Sequence, residues 1–154
     1  MVGVLQGWQE QYRRMVRSFR KLDGEYNNTE VYDDDLYHFL QDAWHLKDWL
    51  KNDPAVSQQV RTNVETDVNA IPALRLAADL ANGSKHFELR SPREGATITQ
   101  RHVIIELGGQ QGAEQRRDVS TTGGGSTTAE QIARDSVKEW EKLLIAYGLQ
   151  LPTP

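Results

Sequence analysis

Apolar residues recur at steps of three and four in three separate stretches of this chain, a period that only an α-helix turns into one continuous face. From Trp8 to Leu22 the stripe is Trp8, Tyr12, Met15, Phe19 and Leu22. From Leu36 to Leu50 it is Leu36, Phe39, Leu40, Ala43, Leu46 and Leu50, and near the end of the chain it is Ile132, Ala133, Val137, Trp140, Leu144 and Tyr147. Three amphipathic helices must share a core, which commits the chain to helix-on-helix packing.

Punctuation residues divide the rest. Asp23-Gly24 closes the first helix, Glu25 to Tyr32 reads as a loop, and Asp33-Asp34-Asp35 suits the positive N-terminal end of a second helix reaching about Asn52. Asp53-Pro54 places a cap before a proline and predicts a third helix from there through Val56, Val60 and Val64. Pro72 opens a short fourth helix that ends at Gly83. Beyond it the period changes. His86 to Arg90 and Ala96 to Leu107 predict the strands of a β-hairpin over about 86–107, joined by the turn-like Ser91 to Gly95. Gly108 to Ser126 is rich in Gly, Gln, Ser and Thr and is expected to be a flexible loop over about 108–126. Thr127-Thr128-Ala129-Glu130 then reads as a capping box for the last helix, which stops at Gly148. The expected fold is mainly α, and α+β by count: a four- to five-helix bundle with a small antiparallel β-hairpin, in one domain spanning 1–154.

Composition narrows the function classes. The 154 residues include no cysteine, which excludes a disulfide framework and thiolate metal sites. A net charge of -4 gives no general attraction to nucleic acid or anionic membrane, so any such affinity must be local. No membrane-length apolar run and no secretory signal are seen, so the expected location is cytoplasmic, and Asn27-Asn28-Thr29 and Asn82-Gly83-Ser84 carry no glycosylation message. No cofactor is expected. Gly123 to Thr127 lacks the lysine of a phosphate loop, and no serine sits in a nucleophile elbow.

Local features remain. His38, Asp42, His45 and Trp49 form a polar stripe on the second helix, and Arg75, Asp79, Asn82 and His86 continue the same period on and beyond the fourth. Facing each other, they would line a cleft with acid, base and hydrogen-bonding groups; facing water, they would be solvated surface. His38, Asp42 and His45 also have the spacing of three metal ligands on one helix face. Arg13, Arg17, Arg20 and Lys21, with Arg14 beside them, make a basic strip on the first helix that can track a phosphate backbone or simply face solvent. Two tryptophans flank His45 in Trp44-His45-Leu46-Lys47-Asp48-Trp49, and something should cover them.

That hexapeptide, together with Asp79-Leu80-Ala81-Asn82-Gly83-Ser84-Lys85-His86, is similar to stretches of a group of uncharacterised bacterial proteins. The helical layout around Asn82 to His86 more distantly resembles the HEPN superfamily, helical proteins that often act as RNases in defence and toxin systems. Its motif of arginine, a polar residue, a few variable residues and histidine would be met here by Asn82 and His86. The arginine position falls on Ala81. Arg75 does not replace it, because eleven residues of helix separate it from His86 by about 16 Å. The resemblance implies RNA as ligand and a homodimer, and together with the two polar stripes it points to a site built on His86, Asn82, His45 and Asp79.

The expected function is therefore a HEPN-like protein of bacterial or phage defence type that binds RNA or a nucleotide-containing ligand, as a pure binder or as a degenerate RNase. A non-enzymatic module whose tryptophan-rich cleft and glycine loop bind a protein partner is the alternative, with a metal-dependent enzyme using His38, Asp42 and His45 third.

Overall fold

The second helix of the chain is its axis. In the computed structural model, which describes residues 7–83, 93, 95–104 and 114–153, α2 (Thr29–Asn52) packs against α1 (Trp8–Leu22), α3 (Gln58–Ala70), α4 (Pro72–Gly83) and α5 (Ala129–Ala146). All six residues of its apolar stripe are buried, and they meet Trp8, Tyr12 and Met15 of α1 and Ile132, Ala133, Trp140 and Leu144 of α5 in one core. Full burial of each leucine contributes roughly 1.5–3 kcal/mol, so this central stripe is a main stabilising element. Five helices and a three-stranded sheet among the described residues make the fold mainly α with a small β element. No helix of the described residues is long and apolar enough to cross a membrane.

Polar side chains tie the bundle across long stretches of sequence. Trp140 donates its indole N–H to the Ala43 carbonyl at 3.0 Å. Four tyrosine hydroxyls donate to carboxylates: Tyr12 to Glu141, Tyr26 to Asp35, Tyr32 to Glu130 and Tyr147 to Asp67. Two of these link different helices, and Tyr147, the C-cap of α5, ties that helix end to α3. Each phenol buries its ring and satisfies its O–H at the same time.

Several boundaries differ from the sequence-based expectation. α2 begins at Thr29, a turn before the acidic run, because Asn28 Oδ1 accepts from the Glu30 and Val31 amides. Asp33 is thereby left inside the helix and is used elsewhere. α3 begins at Gln58, capped by Ser57, and not at Pro54. Asp53 instead accepts from Ala55 N and, through Oδ2, from Trp8 N at 3.0 Å, so it caps a turn and the start of α1 together. Gly7 stands against that carboxylate with φ 85°; a Cβ there would lie 2.7 Å from Asp53 Oδ2. At α5 the cap is Thr128, bonded to Gln131 N, whereas Glu130 serves Tyr32 and β2.

The largest correction lies in the sheet. The stretch expected to be a flexible loop, about 108–126, contains a strand, β2 (Glu114–Ser120), antiparallel to β1 (Thr97–Ile104) and to β3 (Ser126–Thr128). The described hairpin is therefore β1 with β2, while the expected strand His86 to Arg90 lies outside the described residues. Gln115, Arg117 and Val119 alternate inward, but only Val119 is apolar, so the period-2 pattern carries no hydrophobic signal. Gly123 to Gly125 form the β2–β3 turn, closed by Thr121 N to Gly125 O at 3.0 Å.

What holds β2 down is Arg117, fully buried. Its cross-strand neighbour is Arg101, an arrangement of like charges that repels unless an anion sits between them. Asp33 of α2 is that anion, with Oδ1 2.8 Å from Arg117 Nε and Oδ2 3.3 Å from Arg101 Nε. Arg117 also donates to Gln115 Oε1 and to the Arg116 and His102 carbonyls, and its guanidinium lies 4.8 Å from the Tyr32 ring centroid. Its backbone N–H donates to both oxygens of Glu130.

Candidate functional site: a polar groove between the first two helices

The flank of α1 beside its core stripe carries Gln11, Arg14, Ser18 and Lys21 at steps of three and four, which puts them on one face. That face meets the polar stripe of α2. Gln11 Nε2 donates to the Asp42 carbonyl at 2.9 Å, and Ser18 Oγ donates to Asp42 Oδ2 at 2.6 Å. Between the two helices a groove of about 310 Å³ is lined by Arg14, Ser18 and Lys21 on one side and by Asp35, His38, Gln41, Asp42 and His45 on the other.

The charges in this groove are not equivalent. Asp42 is engaged by Ser18, and Asp35 accepts the Tyr26 hydroxyl at 2.9 Å. One oxygen of each carboxylate is therefore engaged by a neighbouring hydroxyl. Arg14 donates one nitrogen to Gln11 Oε1 at 2.8 Å and lies 5.8 Å from the Trp49 ring centroid, which leaves further guanidinium donors on the same fork. His38 is exposed and His45 half-buried at the groove. Cations, imidazoles and the Gln41 amide together make a set of donors suited to an anion with hydrogen-bonding edges.

The structure sorts the residues singled out in the sequence. His38, Asp42 and His45 share the groove, but no three His, Cys, Asp or Glu side chains among the described residues are grouped to hold a metal ion. The ligand spacing seen in the sequence at those three residues is thus not matched by a clustered ligand set, and Asp42 Oδ2 accepts from Ser18. Asp79 and Asn82 do not line this groove. Asp79 is buried on α4, where its carboxylate accepts from Arg93 N at 2.9 Å and Ala96 N at 3.4 Å and so fixes the chain entering β1. Arg75 donates to the Asn69 carbonyl at 3.3 Å, and Asn82 is half-buried near the end of α4. His86 lies outside the described residues.

The basic strip on α1 divides in two. Arg17 pairs with Glu10 at 2.9 Å, and Arg13 lies 3.8 Å from the same carboxylate and donates to the Thr153 carbonyl. The hydrogen bond from Arg17 holds the Glu10 carboxyl below the usual carboxylate range. Arg20 is exposed, and Lys21 belongs to the groove with Arg14.

Trp44 is covered by cations. Lys47 Nζ sits 4.4 Å and the Arg93 guanidinium 4.5 Å from the Trp44 ring centroid, so the indole offers its π-electrons to two positive charges. Lys47 is itself 7% exposed and pairs with Asp48 at 2.6 Å. Two features escaped the sequence reading. One is buried Arg117, for which no local pattern exists; the other is a pair on the sheet, where His102 Nε2 lies 2.8 Å from Asp118 Oδ2 and Arg116 Nε 3.3 Å from Asp118 Oδ1. The second was hidden with β2 itself, whose alternation carries no hydrophobic signal.

The fold and the groove define the class: a mainly helical bundle with a three-stranded antiparallel sheet and a mixed-charge groove along its first helix pair. Comparison with protein-family models, curated proteins and solved structures finds no match to the chain.

Proposed function

We propose that the protein binds RNA, or another ligand carrying nucleotide phosphate, in the groove between α1 and α2, as a HEPN-like helical protein of the bacterial or phage defence type. The observation that supports this reading is the placement of Arg14 and Lys21 opposite His38, Gln41 and His45, with one oxygen of each groove carboxylate engaged by a hydroxyl donor. Phosphate needs cations and N–H donors at one place in an otherwise acidic protein, and this groove gathers them. The resemblance of Asn82 to His86 to the HEPN motif makes RNA the favoured source of the phosphate. Cleavage would need charge stabilisation on the phosphorane, and the arginine that the motif supplies is replaced by Ala81, so the reading is binding in place of turnover.

The test is fluorescence anisotropy with a labelled single-stranded RNA. Arg14→Glu with Lys21→Glu should abolish binding, whereas Arg13→Glu with Arg17→Glu, whose side chains are engaged by Glu10, should weaken it far less. The salt dependence should be steep, losing roughly 0.7 in log-log slope for each phosphate released from the wild-type contact. Salt-insensitive binding, or binding untouched by the Arg14 and Lys21 reversal, would remove the groove as the RNA site.

A further inference from the structure

A second hollow of different character lies at Trp49, the ring that Arg14 approaches from the groove. It measures about 540 Å³ and is lined by the Trp49 indole, Pro54 and Ala55, with the amide side chains of Gln9 and Asn52 at its margin. Asp53 also reaches it, but both of its oxygens are used, one by Trp8 N and the other by Ala55 N. Asn52 spends its amide nitrogen on the Asp48 carbonyl at 2.8 Å, which leaves its side-chain oxygen as an acceptor. Arg14 bridges the two places, because it lines the polar groove and lies 5.8 Å from the Trp49 ring.

An aromatic face with apolar walls and a few amide groups is what a nucleobase requires. The ring stacks, and the amides meet its hydrogen-bonding edge. We infer that the Trp49 hollow is a nucleobase subsite, so that a single-stranded RNA whose phosphate is held by Arg14 and Lys21 places its adjoining base against Trp49, with Gln9 and Asn52 reading the base edge. This rests on the groove reading above. It adds that the ligand is single-stranded, since a base inside a duplex has neither face nor edge available to such a pocket.

The experiment compares the full-length protein on three probes: single-stranded RNA octamers, an RNA duplex of the same length, and inorganic polyphosphate, which has the charge but no base. The wild type should prefer the single strand to the duplex. Trp49→Ala should weaken octamer binding by roughly 5- to 150-fold, the range that loss of one base stack produces, and should weaken polyphosphate much less. Because Trp49 also packs against the core, Asn52→Ala at the exposed end of α2 is the second arm, and it should flatten the preference among adenine, cytosine, guanine and uracil octamers. A folded Trp49→Ala that binds octamers as the wild type does, or an Asn52→Ala with unchanged base preference, overturns the subsite. If octamer and polyphosphate binding are both lost on Arg14→Glu with Lys21→Glu while Trp49→Ala binds octamers normally, the groove stands and the base subsite falls. If the wild type binds none of the probes, both fall.

Discussion

A guanidinium with no solvent exposure is expensive to place, and Arg117 shows what such a placement requires. Its donors reach one carboxylate, one side-chain amide and two carbonyls, and its flat face covers Tyr32, so nothing on it is left to water. Lysine cannot reproduce this, because a single ammonium offers no planar fork. Removing the arginine leaves Asp33 inside the protein with only the more exposed Arg101 beside it. Arg117→Met should therefore lose about 1–3 kcal/mol of unfolding free energy, the usual cost of leaving hydrogen-bonding partners unsatisfied, because Asp33 is partly exposed and keeps Arg101. Urea titration checks it. Combining it with Asp33→Asn should cost less than the two single changes added, since they share one interaction. A single-variant loss below about 1 kcal/mol, or strict additivity, would show that Arg117 is not the pin of the sheet.

At the scale of elements, the chain shows its helices openly and its sheet poorly. The six-residue stripe of α2 and the stripes of α1 and α5 are legible because apolar residues at helical spacing have no other economical home. Pro72 and Gly83 bounded α4 for equally local reasons. Asp53-Pro54 misled, because a capping aspartate can close a turn as readily as open a helix, and here its second oxygen is claimed by Trp8 from 45 residues away. β2 was hidden because its inward residues include a glutamine and an arginine, whose burial depends on Asp33 and Glu130 in distant helices. Of the candidate site, His38, Asp42, His45, Arg14 and Lys21 were picked out in the sequence, but Ser18, and the meeting of the two helix faces, emerge only from the packing of α1 on α2. The link from α4 to the sheet is similarly non-local and can be cut. Asp79→Ala should free the Arg93 and Ala96 amides, costing about 1–3 kcal/mol for unsatisfied buried groups. Hydrogen exchange at Ala96 should accelerate more than at residues within α2. Equal acceleration in both places would mean that Asp79 stabilises the whole core and not this junction.

The molecule as a whole is clamped by tyrosines, and this gives it a defined alkaline limit. Of five tyrosines in the chain, Tyr12, Tyr26, Tyr32 and Tyr147 each have ionisation raised, first by burial and then by the carboxylate that accepts the hydroxyl proton. Tyr12 is pushed up to about 12, and the other three move further in the same direction. In the unfolded chain a tyrosine loses its proton near pH 10. From about pH 10 upward the unfolded state therefore sheds protons that the folded state keeps, and stability falls with rising pH. Below about pH 10 both states hold these protons, and the contribution is complete. Phenolate absorbance and helical circular dichroism should accordingly change together in an alkaline titration, most of the phenolate appearing as the helices melt. Tyr32→Phe removes one of the linked protons, so it should make that transition less steep as well as lower the neutral-pH stability through loss of the Glu130 bond. If instead these four tyrosines ionise near their ordinary value while the helical signal persists, the hydroxyl–carboxylate clamps do not hold the bundle together.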